Sequence, residues 1–398
     1  MVPKDTSITI IGAGIGGLTC AISLQNLGYQ IKVFERADQL TEIGAGLTIP
    51  PNARKAIQYL GFEKQVIEAS YKPAKAAIKD YYSGDTLKEI DINPSGNNKV
   101  QENDNYSPIY GTLQIHRADF QSILLKEVLK NDPNSIFLNH EFTNFSINNG
   151  SLVCHFKDNK SYNTDALIAC DGNKSLVRES INGNDKLNYL GYVAWRGLIS
   201  SSDIPSNLIQ PDTATFIGKN KIFARYKIRS GKIINYVGFS KKNDWEDESW
   251  TVRSSINELL SEFSDSTDEI VSLIKKTQTN QCFKWALAGR EPIKKWSVNN
   301  ITLLGDAAHP MLPFLGQGAA MAIEDSVILS RLFLNEDNIK DAFKKYEQNR
   351  INRTTMVMHG AELNGLKLSG SDYTNFIKDK NIYTEEEVAE YNPVEAAL

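Results

Sequence analysis

The chain has 398 residues, 41% of them hydrophobic and 23% charged, with a formal net charge of −4. That length allows two or three domains around a sizeable core, and the lack of a basic excess argues against a nucleic-acid partner, so a small molecule is expected instead. Cys20, Cys154, Cys170 and Cys282 form neither a C-x-x-C pair nor a metal cluster, and they read as buried thiols of a reducing, cytoplasmic protein without a bound metal. The apolar run over residues 8–24 is broken by glycines and lacks a small-residue cleavage site; no other stretch approaches the roughly eighteen apolar residues of a membrane span.

The chain opens with a β-prone run, Ser7-Ile-Thr-Ile-Ile11, then Gly12-Ala-Gly-Ile-Gly-Gly17 and a helical pattern over residues 18–27. A second strand, Gln30-Ile-Lys-Val-Phe-Glu35, ends on an acid roughly twenty residues after the first glycine, the order a dinucleotide fold requires. In that reading Gly12 makes the tight turn, Gly14 lets the backbone approach a pyrophosphate, Gly17 lets the helix pack, and Glu35 accepts from a ribose hydroxyl. Glu42-Ile-Gly-Ala-Gly-Leu-Thr-Ile-Pro-Pro-Asn52 predicts a rigid loop before a helix, and residues 71–105 predict short strands and a polar surface excursion.

His116-Arg-Ala-Asp-Phe starts a clear helix, with Arg117 where the helix dipole already favours anions; a phosphate nearby would resolve that conflict. Residues 142–162 read as a β-meander, and Asp165-Ala-Leu-Ile-Ala-Cys-Asp-Gly172 as a buried strand ending at a ligand crevice. Residues 187–234 are β-like and interrupt the dinucleotide fold. The acidic run over residues 244–248 predicts a solvated loop, residues 256–276 one or two amphipathic helices, residues 339–368 a helix, and the tail to Leu398 a loosely packed polar end.

The stretch Ile301-Thr-Leu-Leu-Gly-Asp-Ala-Ala-His-Pro-Met-Leu-Pro-Phe-Leu-Gly-Gln-Gly-Ala-Ala320 passes from strand through turn to helix N-terminus. Such a terminus carries unpaired N–H groups and roughly half a positive charge, so it suits an electron-rich ring or an anion. His309 reads as fixing the turn. In Gly191-Tyr-Val-Ala-Trp-Arg-Gly-Leu198 strand alternation puts Tyr192, Ala194 and Arg196 on one face and Val193 and Trp195 on the other. With the first face toward a pocket, Arg196 could hold an anionic edge and Tyr192 could polarise a phenol; Arg225 is a second cationic candidate.

With GxGxxG and Glu35, the stretches Ile43-Gly-Ala-Gly46 with Pro51-Asn52, Arg117 with Asp119, Asp171-Gly-x-x-Ser175-x-x-Arg178, and Gly305-Asp-Ala-Ala-His-Pro310 through Gly316-Gln-Gly318 stand in order. Together they resemble the class A FAD-dependent aromatic hydroxylases, most closely the salicylate hydroxylase, 3-hydroxybenzoate 6-hydroxylase and 6-hydroxynicotinate 3-monooxygenase group. Pro50 departs from the glycine that many relatives carry. The resemblance implies an α/β fold, a Rossmann-like FAD-binding domain (1–70, 106–182 and 282–335) interrupted by a β-sheet substrate domain (71–105 and 183–281), with C-terminal helices and a tail (336–398).

The cofactor set it implies is Gly12, Gly14, Ile15, Gly16, Gly17, Glu35, Arg36, Gly46, Leu47, Arg117, Asp171, Gly172, Arg178, Gly305, Asp306, Pro313, Gly316, Gly318, Ala319 and Ala320. Asp306 would bind the ribityl hydroxyls, residues 316–320 the flavin pyrimidine edge, and Asp171 and Arg178 would lie between FAD and a transient nicotinamide site. Pro313, Tyr192 and Arg196 would serve catalysis, and with Arg225 would meet the substrate. A single GxGxxG disfavours a second Rossmann domain for the nicotinamide. The implied cycle takes NADH or NADPH and O2 and hydroxylates a small aromatic or heteroaromatic ring through a flavin C4a-hydroperoxide, in a monomer or homodimer. The alternatives are a tetracycline-type drug-inactivating monooxygenase and a non-catalytic flavin-binding sensor.

Overall fold

The computed structural model describes residues 1–40, 45–93, 111–148, 151–157, 159–183, 188–242, 252–278, 281–368, 370 and 385–398. The expected acidic loop at 244–248, the polar loop beyond residue 93 and the first part of the Ile43-Gly-Ala-Gly46 motif lie outside them. In chain order come β1 (Ser7–Ile11), α1 (Ile15–Gln25), β2 (Gln30–Phe34), β3 (Gly46–Ile49), α2 (Pro51–Leu60), α3 (Glu63–Ala69), β4 (Lys75–Asp80) and β5 (Thr86–Asp91). Next are β6 (Leu113–His116), α4 (Arg117–Asn131), β7 (Ile136–Phe137), β8 (Phe142–Asn148), β9 (Ser151–Phe156), β10 (Ser161–Thr164), β11 (Ala166–Ala169) and α5 (Leu176–Asn182). Then follow β12 (Asn188–Ser200), β13 (Thr213–Gly218), β14 (Lys221–Ile228), β15 (Ile233–Lys241), β16 (Val252–Arg253), α6 (Ile256–Glu262), α7 (Asp268–Lys275) and β17 (Phe283–Gly289). The chain closes with β18 (Ser297–Val298), β19 (Ile301–Leu303), α8 (Gly318–Asn335), α9 (Ile339–Leu368) and α10 (Glu385–Glu390).

Continuous apolar runs such as β1 and β11 are buried on both faces, as strands inside a parallel sheet must be. They form the centre of a six-stranded sheet in the order β18-β19-β11-β1-β2-β7, where β1 runs parallel to β2 and β11, and β11 parallel to β19. Helix α8 is buried almost all round, since Ala, Ile, Val, Leu and Met recur on every side of it. It is the hub against which α1, α2 and α9 pack. Helix α2 starts with Pro51 at its first turn and stops at Gly61, whose φ of 89° supplies the left-handed cap.

The second sheet has eight strands in the order β16-β17-β12-β15-β14-β13-β4-β5. Because β17 pairs with β12 from Asn188↔Gly289 to Arg196↔Phe283, this sheet runs on to Gly289, past the expected boundary at residue 281. Alternation along its strands gives two different faces. Val193, Trp195, Phe216, Phe223 and Tyr236 pack under α6 and α7, while Tyr192, Ala194, Ile222, Phe239 and Leu287 pack toward Leu312, Phe314 and Ala361. That second face looks at the turn joining β19 to α8, which sets the sheet over the dinucleotide-type fold.

The tail corrects its expectation. Val388 and Ala389 are buried, and the backbone carbonyls of Val388, Glu390, Pro393 and Ala397 accept from Arg353, Lys55, Arg331 and Asn349. A largely polar composition thus hides a docked segment at residues 385–398, held by two buried apolar side chains and by its backbone carbonyls. Among the described residues no helix is long and apolar enough to cross a membrane.

Candidate active site

The Gly-rich turn shows three different reasons for glycine. At Gly12 (φ 100°) a Cβ would collide with the Cys170 carbonyl oxygen, and at Gly17 with the Gly12 carbonyl oxygen, so both serve close chain packing. At Gly14 a Cβ would meet nothing within 4 Å, which leaves an open cradle at the start of α1. That start has no side-chain cap and no acid in its first turn, so the helix itself offers its first N–H groups no capping acceptor. Ile15 is buried, and a Cβ on Gly16 would lie 3.1 Å from Leu304 and 3.3 Å from Ala322, where α1 meets the second motif. The Glu35 carboxylate accepts from the Ala13 N–H at 2.8 Å and the Ala37 N–H at 3.0 Å, holding the turn from the end of β2; Arg36 is exposed.

The turn after β19 begins at Gly305 (φ 64°), whose N–H donates to Asp325 Oδ2 at 3.1 Å. Asp306 is exposed, and its Oδ1 lies 4.0 Å from where a Cβ on Gly318 would stand. Pro313 opens a short 3-10 turn that Gly316 closes with φ 63°. Helix α8 then starts at Gly318 with no side-chain cap and no acid in its first turn; Ala319 is half-buried and Ala320 buried. An acid therefore stands beside a bare helix N-terminus, a pairing that can hold hydroxyl donors on one side and an electron-rich edge on the other.

Asp171, after β11, accepts from the Leu176 N–H at 3.0 Å through Oδ2, while its buried Oδ1 meets no hydrogen-bond donor among the described residues, and burial raises its carboxyl pKa. Gly172 beside it has φ 80° with open space where a Cβ would be. Arg178 is 1% exposed and donates to the carbonyls of Ala307 (3.3 Å), Ala308 (2.8 Å) and Glu291 (3.3 Å), so it braces the Asp306 turn from behind.

Arg117 begins α4, and its backbone N–H donates to the Ala45 carbonyl at 2.9 Å. Asp119, two residues on, takes a bidentate bond from Arg229 in the β14–β15 turn, both contacts at 2.7 Å, and so ties α4 to that hairpin of the large sheet. Gly46 meets the same sheet: its N–H donates to Asn235 Oδ1 at 2.7 Å, and a Cβ there would strike the Tyr226 ring. Leu47 follows, half-buried.

On the large sheet Tyr192 is 7% exposed and lies edge-on to Phe314 at 6.3 Å, next to Pro313. Arg196 shares that face, its guanidinium 5.2 Å from the Trp285 ring and 5.3 Å from Phe283. Arg225 does not. The register Arg225↔Tyr236 and Tyr236↔Gly197 turns it to the α7 side, where it is fully buried, pairs with Glu269 at 2.6 Å and donates to the Pro211 carbonyl. The strand residue that does face Gly46 is its neighbour Tyr226, a choice between adjacent residues that the pairing register decides.

Behind α8 lies a buried charge network that sequence reasoning missed. Asp325 lies 2.6 Å from His309 Nε2 and 2.7 Å from Arg350 Nε; burial raises its carboxyl, but His309 and Arg350 outweigh that and hold it at about 2. His309 thus fixes the motif turn. Glu324 accepts a forked pair from Arg353, both at 2.7 Å, and a bond from Asn52 Nδ2 at 2.7 Å. These partners are far apart in sequence, and only the helix spacing Arg350/Arg353 hinted at them.

A family model for the FAD binding domain matches residues 5–361. The chain is 31% identical over 358 residues to a 3-hydroxybenzoate 6-hydroxylase of Polaromonas naphthalenivorans (strain CJ2), covering 89% of this chain and 86% of that relative. It belongs to the class A FAD-dependent aromatic hydroxylases. A 6-hydroxynicotinate 3-monooxygenase of Pseudomonas fluorescens is likewise 31% identical over 359 residues, covering 89% of this chain and 90% of the relative. The crystal structure of CtdE in complex with FAD and a substrate shares the fold, with a TM-score of 0.86, 21% identity, and 98% and 96% of the two chains covered. Membership makes the chain an FAD-dependent monooxygenase, and its fold is the mixed α/β hydroxylase fold, with helices present at the C-terminal end as well.

Proposed function

We propose that this FAD-dependent monooxygenase takes electrons from NADH or NADPH and hydroxylates a small aromatic substrate bearing an anionic edge. When bound, FAD supplies the electron and oxygen chemistry. The cradle at Gly14 would accept the pyrophosphate and Glu35 the adenosine ribose, with Arg117 and Gly46 on the chain between them and the ring. Asp306 would take the ribityl hydroxyls, and the N–H groups of Gly318, Ala319 and Ala320 the pyrimidine edge, where a helix N-terminus favours the negative charge of the reduced ring. Supporting this fit are the open space beside Gly14, the buried Oδ1 of Asp171 that no donor among the described residues meets, and two helix starts without a side-chain cap.

The observation that carries the substrate half is that Tyr192 and Arg196 share the sheet face turned to Pro313 and Phe314, with apolar neighbours that keep water out. Arg196 would hold a carboxylate or phenolate, and Tyr192 would orient the ring. The test is a panel of aromatic acids and their neutral isosteres, reading NAD(P)H consumption together with hydroxylated product. The proposal expects a flavin-yellow protein whose NAD(P)H oxidation rises with an aromatic acid and yields product in step. A colourless protein, or a yellow one that no ring on the panel stimulates, would contradict it.

A further inference from the structure

We infer that the C-terminal segment, α10 with Tyr391, is a positioning strap that sets the flavin-facing start of α8. The Tyr391 ring lies 3.7 Å from the Arg353 guanidinium, face on, and the Val388 carbonyl accepts from the same side chain at 2.9 Å. So held, Arg353 forks onto Glu324, which is fully buried on α8. Glu324 in turn accepts from Asn52 Nδ2, and that same amide nitrogen donates to Gln317 Oε1 at 3.0 Å. Gln317 is the residue that precedes the first turn of α8. The neighbouring acid completes a second branch: Asp325 receives Arg350 at 2.7 Å, and its other oxygen receives the Gly305 N–H and His309. Both ends of the motif, the Gly305 turn and the Gln317 start, are therefore tied to two adjacent carboxylates whose cationic partners the strap covers.

The physical need for a cover is direct. Two carboxylates and two guanidiniums without solvent keep their geometry only while every member stays paired; opening one edge to water relaxes the whole set. Tyr391 and Val388 close that edge on Arg353, and the carbonyl of Pro393 closes it on Arg331 of the same α8. Tyr391 touches neither substrate nor cofactor in this account, so it is a positioning residue, and the inference rests on the reading that the start of α8 meets the flavin.

The test compares full-length holoprotein carrying Tyr391→Ala, Tyr391→Phe, Arg353→Lys or Asp306→Ala, with Tyr59→Ala, at an exposed site on α2, as the control. The readouts are the FAD dissociation constant and the flavin reduction potential. Tyr391→Ala should weaken FAD by about tenfold, as loss of a desolvated ring-cation contact implies, and move the potential to more negative values, because a displaced helix start supports the reduced ring less. Tyr391→Phe keeps the ring face and should retain both values, while Arg353→Lys, which keeps the charge but loses the fork, should follow Tyr391→Ala. If Tyr391→Ala does not fold, Tyr391→Leu puts the same question with the volume kept. Tyr391→Ala with unchanged affinity and potential, even at a lower melting temperature, overturns the strap while loss of FAD in Asp306→Ala leaves the site standing. Unchanged FAD in Asp306→Ala overturns both.

Discussion

The two faces of the eight-stranded sheet carry the same kinds of residue to opposite ends. On the α6/α7 side Phe223 stacks on Tyr236 at 5.1 Å, Phe263 closes edge-on at 5.7 Å, and Arg225 is paired with Glu269 and donates to the Pro211 carbonyl. On the side of the β19–α8 turn, Arg196 lies between two ring faces and Tyr192 stands beside Phe314. The two cations thus differ in setting: one is paired to a carboxylate inside the α6/α7 layer, the other lies against rings on the face turned to the β19–α8 turn. The glycines of the first motif repeat the contrast on a smaller scale: Gly12 and Gly17 are pressed against backbone, and Gly14 faces open space.

Each side of the comparison can be broken separately. The largest effect belongs to Arg225→Ala, which strands Glu269 with Lys79 as its remaining cation and should destabilise the protein by about 3 kcal/mol in denaturant unfolding. Aromatic-ligand affinity of the folded fraction should stay as in the parent; a selective loss of ligand would return Arg225 to the pocket. Next is Gly14→Ala, where nothing blocks the methyl: the melting temperature of the FAD-free protein should hold, while FAD affinity drops at least tenfold by titration. Equal FAD binding would mean that the cradle holds nothing. The smallest is Tyr236→Phe, which removes a buried hydroxyl 2.7 Å from Thr277 Oγ1 and should cost about 1 kcal/mol of stability with no change in ligand or FAD binding.

What could be read from the chain was local. The run of strand, Gly-rich turn, helix, strand and acid needs only period and spacing, so β1 to Glu35 came out with the right neighbours, and alternation alone sorted Tyr192 and Arg196 from Val193 and Trp195. The failures were non-local or one residue out of phase. Arg225 and Tyr226 are adjacent, and which one faces the turn depends on the pairing across the β14–β15 hairpin, since a shift of one residue swaps the faces. Arg178 has its expected role from the resemblance alone, and its bonds to carbonyls more than a hundred residues away are contacts that no local pattern shows. The tail reads as loose because many of its side chains are polar, whereas residues 385–398 dock through the buried Val388 and Ala389, through backbone carbonyls and through one tyrosine ring.

The most direct test of the account is a titration of the holoprotein with an aromatic acid, followed by the flavin absorbance change, for wild type and Arg196→Ala side by side. The account predicts that wild type binds with a perturbed flavin spectrum and that Arg196→Ala weakens the ligand at least tenfold, the loss of a charge-assisted contact, while FAD affinity is unchanged. Equal ligand affinity in the two proteins would contradict it, and would place the substrate away from the Arg196 face.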